Sequence, residues 1–352
     1  MYDTAILIGR FQPVHAGHLA LLQHGLAQAR EVIIVLGSAF AARSPKNPFT
    51  WQERAAMLRD ALPAAERERL RFLPVRDRYN EPAWVQDVRS GVARMLPTHP
   101  ARRIALVGHF KDASSSYLRR FPDWALLDLP RQGVIDATPI RDAYWGAARG
   151  ALDAALAPMG QDLPPSTLRF LHDFATLPGY TALQEEWRVL HDYRASWSQA
   201  PYPPVFVTVD AVLRCQDHVL LVRRGHAPGK GLWAAPGGFL EPRDTLWQSC
   251  LRELSEETAC PLDEATLRAA LHAVKVFDHP DRSQRGRTIT HGHYFDLGDT
   301  PLPPVVAGDD AQQALWVPLE RLASMEDQMF EDHFHLLDSF LGFMPPESAA
   351  GG

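Results

Sequence analysis

The stretch that most limits what this chain can fold into runs from Thr4 to His18. Thr4-Ala5-Ile6-Leu7-Ile8 has the length and content of a buried parallel strand. Leu19, Leu21, Leu22, Leu26 and Ala29 then fall mostly on one helical stripe. Between them Gly9-Arg10-Phe11-Gln12-Pro13-Val14-His15-Ala16-Gly17-His18 makes a tight turn. A strand feeding a helix in this way aims free helix amides at a ligand beyond the strand end, a position that favours phosphate. His15 and His18 would add two donors beside that anion, as a transferring phosphoryl group requires. The bland alternative is two histidines satisfied in a surface turn.

The first half repeats the theme. Val32-Ile33-Ile34-Val35-Leu36-Gly37-Ser38 reads as a second buried strand, which makes a right-handed βαβ unit and a parallel sheet. Ligands of such sheets sit beyond the strand C-termini, where Gly9 and Gly37-Ser38 fall. Arg43 to Arg54 carries two prolines and Asn47 in a basic loop with Lys46, and Thr50 with Glu53 forms a capping-box pattern. Leu73-Pro74-Val75, Ile104 to Gly108 and Leu126 to Leu129 read as further strands. After the third come Asp77, Asn80 and Trp84. An indole can stack on a flat heterocycle while an amide bonds its substituent, but Val85 and Val88 extend an apolar face that would make Trp84 core. Thr138 is expected to cap a late helix with Pro139 at its first position, placing Arg141 one turn in, within reach of a phosphate.

The Gly-Arg-Phe-x-Pro lead-in and His-x-Gly-His turn resemble the signature of the nucleotidyltransferase superfamily. Together with Asn47-Pro48-Phe49-Thr50, Glu53-Arg54, Asn80, Trp84, Thr138 and Arg141, the first 150 residues or so resemble archaeal-type nicotinamide mononucleotide (NMN) adenylyltransferases. The resemblance implies a Rossmann-like, doubly wound parallel sheet. It implies ATP held by Gly9, Arg10, Phe11, His15, His18, Thr138 and Arg141, and NMN held by Lys46, Asp77, Asn80 and Trp84. His15, His18 and Arg141 would act on the moving charge. Asp136 stands where the superfamily usually carries serine.

Residues 150 to 200 read as amphipathic helices, and Ser198-Gln199-Ala200-Pro201-Tyr202-Pro203-Pro204 as a stiff linker. Val205 to Leu213 and His218 to Arg223 are strands about a polar turn. A Gly/Pro-rich loop then leads to a helix on which Glu253, Glu256 and Glu257 share one face. Three crowded carboxylates repel, and a hard divalent cation relieves that repulsion. Arg252 can pair with and orient a neighbouring acid.

Gly238, Arg252, Glu253, Leu254, Glu256 and Glu257 match the Nudix box, which this run resembles. Asp244, Ala259 and Cys260 depart from it, and alanine at 259, where a left-handed residue should end the helix, costs about 1 kcal/mol or changes the turn. Arg282, Arg285 and Arg287 in a basic loop suit a diphosphate, as in Nudix proteins of the ADP-ribose branch, with Gly238 beside them; Asp309 or Asp310 could assist a water nucleophile.

Both halves together resemble bacterial bifunctional proteins that join an NMN adenylyltransferase to an ADP-ribose pyrophosphatase. That resemblance implies an α/β protein. Residues 1–185 would be the adenylyltransferase, 186–204 a linker, and 205–345 a Nudix α/β/α sandwich with a mixed sheet. It implies NMN, ATP and ADP-ribose as small-molecule substrates. Mg²⁺, with Mn²⁺ as an alternative, would sit on Glu253, Glu256 and Glu257. The rivals are a second half that only senses ADP-ribose or NAD, and a first half that transfers to pantetheine phosphate or carries out cytidylyl transfer. Composition narrows the field. A net charge of −6 gives no footprint for nucleic acid, and no apolar run reaches membrane-spanning length. No signal peptide is read at the start. Three cysteines without metal spacing suit a reducing cytoplasm. A homo-oligomer is compatible with all of this.

Overall fold

The computed structural model describes residues 1–96, 102–109, 113–130 and 136–344. Pro345, the last residue of the expected second domain, lies outside them. The described chain forms two compact units that divide between Gln184 and Glu185.

In the first unit, strand β1 (Tyr2–Gly9) leads through the turn into helix α1 (Ala16–Gln28) and strand β2 (Ala29–Leu36). Helices α2 (Trp51–Asp60) and α3 (Ala64–Arg67) precede strand β3 (Leu70–Pro74). Helix α4 (Glu81–Met95), strand β4 (Ile104–Gly108) and strand β5 (Ala125–Asp128) follow. Helices α5 (Ala137–Gly146), α6 (Leu152–Leu156) and α7 (Pro165–Ala175) complete the unit. The sheet order is β3-β2-β1-β4-β5 and every pairing is parallel, as the apolar runs predict. Strands buried on both faces explain those runs: Ala5, Ile6, Ile33, Ile34 and Val35 are fully buried. All five strand C-termini therefore share one edge, where the connecting turns must build any ligand site.

Helix α8 (Pro178–Ser196) crosses the division. It continues through the first part of the expected 186–204 linker, because Leu190 is buried and Trp187 stacks on His191 one turn on.

The second unit has a mixed sheet. Strands β6 (Val205–Cys215) and β7 (His218–Arg224) are antiparallel, with short strands β8 (Trp233–Ala234) and β9 (Gly237–Phe239) paired to β7 and β6. Helices α9 (Leu246–Thr258) and α10 (Glu264–Ala270) precede strands β10 (Leu271–Phe277), β11 (Arg287–Asp296) and β12 (Ala311–Pro318). Helices α11 (Leu319–Leu322) and α12 (His333–Leu341) follow. The order is β10-β11-β6-β7-β12, with β11 parallel to β6. Period-two alternation on β6 builds two cores. Val209, Ala211 and Leu213 join Cys250 and Leu254 of α9 on one face, and Val212 joins Leu336 and Leu337 of α12 on the other. Each such leucine contributes roughly 1.5–3 kcal/mol by burial.

Candidate active sites

In the first unit the site grows from the end of β1. His15 is the N-cap of α1, and its backbone N–H donates to His18 Nδ1 at 3.3 Å. The two imidazoles stack with centroids 3.7 Å apart. With Nδ1 accepting, His18 keeps its proton on Nε2. Burial, and then the neighbouring His15, push the His18 pKa well below its ordinary value, so it serves as a neutral donor. Phe11, buried at φ 54°, lays its ring 4.7 Å from that of His18. A side chain at Gly9 would meet the Phe11 ring at 3.0 Å, which accounts for glycine there.

Other segments bond to this turn or stand at the neighbouring strand ends. Arg141 of α5 donates to the Gln12 carbonyl at 2.6 Å and to Thr138 Oγ1 at 3.0 Å. Burial, and then the like charge of Arg10, lower its pKa to about 10. The helix begins at Ala137 with Asp136 in the N-cap position, earlier than expected. The Thr138 hydroxyl thus serves Arg141 instead of capping. Gln12 holds the Lys46 loop through a two-way bond to Phe49: Nε2 donates to the Phe49 carbonyl at 2.9 Å, and Oε1 accepts from its N–H at 3.0 Å. Asp77 accepts from Ser38 N–H at 3.1 Å and from Ser38 Oγ at 2.5 Å. Asn80 caps α4 by accepting from Ala83 N–H at 3.1 Å. Trp84 is half-buried at the margin of the core, edge-on to Tyr117 and Phe121. So His15, His18, Arg10 and Arg141 gather about one turn, while Asp77, Asn80 and Trp84 stand beyond the end of β3.

In the second unit α9 carries the acids. Thr245 caps it with Gln248 in a capping box. Ala259 ends it at φ 44°, the left-handed conformation expected at that position, and donates to the Ser255 carbonyl. Arg252 is the hub: it donates to Asp244 at 3.4 Å, Glu253 at 3.0 Å and Glu256 at 2.7 Å. Aspartate at 244 therefore still reaches Arg252 despite its shorter arm. Glu257 turns the other way and accepts from Gly237 N–H at 3.0 Å. Burial, then the Glu253 and Asp210 charges against that bond and Arg224, raises its carboxyl to about 8. Glu253 is also raised, by burial with Glu256 and Asp309 behind it.

These groups fit a divalent cation in donor chemistry and in mutual repulsion. A side chain at Gly238 would strike the Glu253 carboxylate at 2.3 Å, so glycine lets the loop pass beside that acid. Among the described residues, no three His, Cys, Asp or Glu side chains are drawn into a ready cage. Arg252 holds two of the three glutamates to itself.

Beside them lies a small cavity of about 40 Å³ lined by Asp210, Arg224, Gly238, Glu257, Arg285 and His333, with Arg282 and Glu331 also on its wall. Of the three arginines read from sequence, Arg285 lies over the Phe239 ring at 4.8 Å. Arg282 is buried and forked onto Asp332 at 2.8 and 2.9 Å, so its charge is already met. Arg287 bonds the Asp278 carbonyl and does not line the cavity. The sequence reading missed Arg224, which lies over the Phe330 ring at 4.2 Å. It also missed His333, whose Nδ1 accepts from Ala235 N–H, and Asp210. From sequence, Phe330-Glu331-Asp332-His333 reads as an ordinary helix start, and nothing local marks Arg224 or Asp210.

Comparison with known proteins agrees with both halves. The profile described as Cytidylyltransferase-like matches residues 6–96, and the one described as NUDIX domain matches 204–340. A nicotinamide/nicotinic acid mononucleotide adenylyltransferase of Acinetobacter baylyi is 38% identical over 188 residues, 53% of this chain and 94% of that protein. An ADP-ribose pyrophosphatase of Methanocaldococcus jannaschii is 33% identical over 34% of this chain and 65% of its own length. The crystal structure of a bifunctional NMN adenylyltransferase/ADP ribose pyrophosphatase from Francisella tularensis, complexed with AMP and a manganese ion, superposes with TM-score 0.88 at 36% identity. That match covers 97% of this chain and 99% of the other. With 36% identity over nearly the whole length of both chains, this chain belongs to the family of bifunctional NMN adenylyltransferase/ADP-ribose pyrophosphatases.

Proposed function

We propose that the first unit joins NMN and ATP into NAD and pyrophosphate, and that the second hydrolyses ADP-ribose to AMP and ribose 5-phosphate. The observation that carries the first reading is the gathering of His15, His18, Arg10 and Arg141 at the sheet edge. The NMN phosphate attacks the α-phosphorus of ATP in line, and no enzyme nucleophile is needed. His18 Nε2–H, His15 and Arg141 donate to the charge that moves onto pyrophosphate. Gly9, Phe11 and Thr138 shape that cradle. Trp84, Asn80 and Asp77 stand where the nicotinamide end would lie, with Lys46 toward the phosphate. That aromatic platform favours NMN over pantetheine phosphate or a cytidylyl acceptor.

In the second unit Glu253, Glu256 and Glu257 would hold Mg²⁺, or Mn²⁺, once Arg252 releases its partners. The cation, when bound, supplies polarisation of the diphosphate and of the attacking water. Arg285 and Arg224 meet the diphosphate, and Gly238 gives it close approach. The retained acids and the full-length bifunctional relative give a purely sensing role no support. Three buried free cysteines support a cytoplasmic setting. Among the described residues no helix is long and apolar enough to cross a membrane. Product analysis tests both readings: NMN plus ATP with Mg²⁺ should yield NAD, and ADP-ribose with Mg²⁺ should yield AMP. Absence of either product removes that half of the proposal.

A further inference from the structure

We propose that Arg54 is a positioning residue of the first site: its guanidinium gathers the carbonyls that end β1 and β2, and so fixes the two left-handed residues on which His18 and Asp77 rest. Arg54 is fully buried in α2. It donates to the carbonyls of Arg10 at 2.6 Å, Gly37 at 2.8 Å, Ser38 at 3.3 Å and Thr50 at 3.2 Å. Among the described residues its bonds go to carbonyls and not to a carboxylate, although Asp77 and Glu53 are near enough to favour its charge. A buried cation spent wholly on carbonyls is a costly choice for stability alone.

Its partners show what it secures. Arg10 precedes Phe11, at φ 54°, whose ring packs on His18. Gly37 precedes Ser38, at φ 49°, whose N–H and hydroxyl hold Asp77. Left-handed backbone at a residue with a side chain is strained, and it persists only where the surroundings over-determine it. Two such residues at the ends of neighbouring strands, pinned by one planar fork, keep the groups proposed to meet both substrates, the His18 donor and the Asp77 acceptor, in register. Only arginine has enough N–H groups in one plane to reach carbonyls of three segments at once.

The inference rests on the adenylyltransferase reading. Its test uses the full chain as wild type, Arg54→Lys, Ser38→Gly and the double variant, assayed for NAD formation with NMN and ATP varied separately. Lysine keeps the charge but presents a single nitrogen. Arg54→Lys should retain its circular dichroism and a cooperative melt, while the KM for NMN rises about tenfold and kcat also falls. Glycine adopts positive φ without strain, so Ser38→Gly should cost about threefold less on top of Arg54→Lys than it costs in wild type. A wild type that forms no NAD overturns the activity reading, and this inference with it. An active wild type with Arg54→Lys inside twofold in both constants overturns the inference alone. So do multiplicative losses in the double variant, or a kcat that falls only with the folded fraction at unchanged KM.

Discussion

The end of β1 and the face of α9 both meet phosphate chemistry, but they are built in opposite senses. Around β1 the groups proposed to face a ligand are donors, the His15 and His18 imidazoles and the Arg10 and Arg141 guanidiniums. Their supports are backbone carbonyls bound by Arg54 and Gln12, so the geometry stands before a ligand arrives. On α9 the groups are acids, two of them tied to Arg252 and the third with its pKa pushed up to about 8 by burial. In the proposed reading a cation takes over from Arg252 as the partner of that face. An anion site can be finished by the chain alone, whereas a metal site is finished by the metal.

The largest effect should come from breaking the donor site. His18→Ala removes a phosphate donor and the acceptor of the His15 N–H. NAD synthesis should fall by two to three decades, about 3–4 kcal/mol of barrier, while ADP-ribose turnover in the same sample stays level. Retention of more than a third of NAD synthesis would show that the turn holds structure and not the transition state.

The acid face should respond nearly as strongly and in a different way. Glu257→Gln keeps size and the bond from Gly237 but cannot give up a proton to become the anionic oxygen ligand a cation would need. ADP-ribose hydrolysis should drop about a hundredfold at ordinary Mg²⁺, and the melting shift on adding Mg²⁺ without nucleotide should shrink. His18→Ala should leave that Mg²⁺ shift unchanged. If Glu257→Gln keeps the full shift, the cation sits elsewhere and the contrast between the sites fails.

What could be read from sequence divides along the same line. Strands β1 and β2, the turn at His15 and the acid face of α9 lie within one or two turns of chain, so periodicity and spacing expose them. The left-handed Ala259 was legible for the same reason. The partners of Arg54, Arg224, Asp210 and His333 were not, because they are brought from far along the chain. Arg282 shows the limit best. Its place in a basic loop suggests a ligand cation, but Asp332, fifty residues on, occupies its fork. Nothing local marks a buried arginine as already paired.

A smaller change should sharpen the picture of the donor site. Trp84→Ala should raise the KM for NMN about fivefold to tenfold while that for ATP moves less, the size of a lost stacking contact. Trp84 also packs edge-on to Tyr117 and Phe121, so the melt must be followed. Equal shifts in both constants with a lowered melt would return Trp84 to the core.

The smallest effect tests whether acids around the second site cost stability before a ligand binds. Glu186 of α8 accepts from Gly229 N–H and lies near Arg224 and Glu331, both on the wall of the cavity. Burial pushes its carboxyl up to about 7, with Glu331 adding and the Gly229 bond and Arg224 opposing. The ordinary value is 4.5. Between those values the folded chain holds a proton that the unfolded chain has released. Stability should therefore fall as pH rises from about 4.5 to about 7 and level off above. Glu186→Gln carries no such proton and keeps the acceptor for Gly229. It should match wild type below pH 4.5 and exceed it by about 1–2 kcal/mol at pH 8, read from denaturant melts of the metal-free chain. The opposite sign at pH 8 would mean that the pairing with Arg224 outweighs burial. Glu186 would then belong with the donor-style supports of the first site, and the second site would be more nearly finished by its own chain than its acid face suggests.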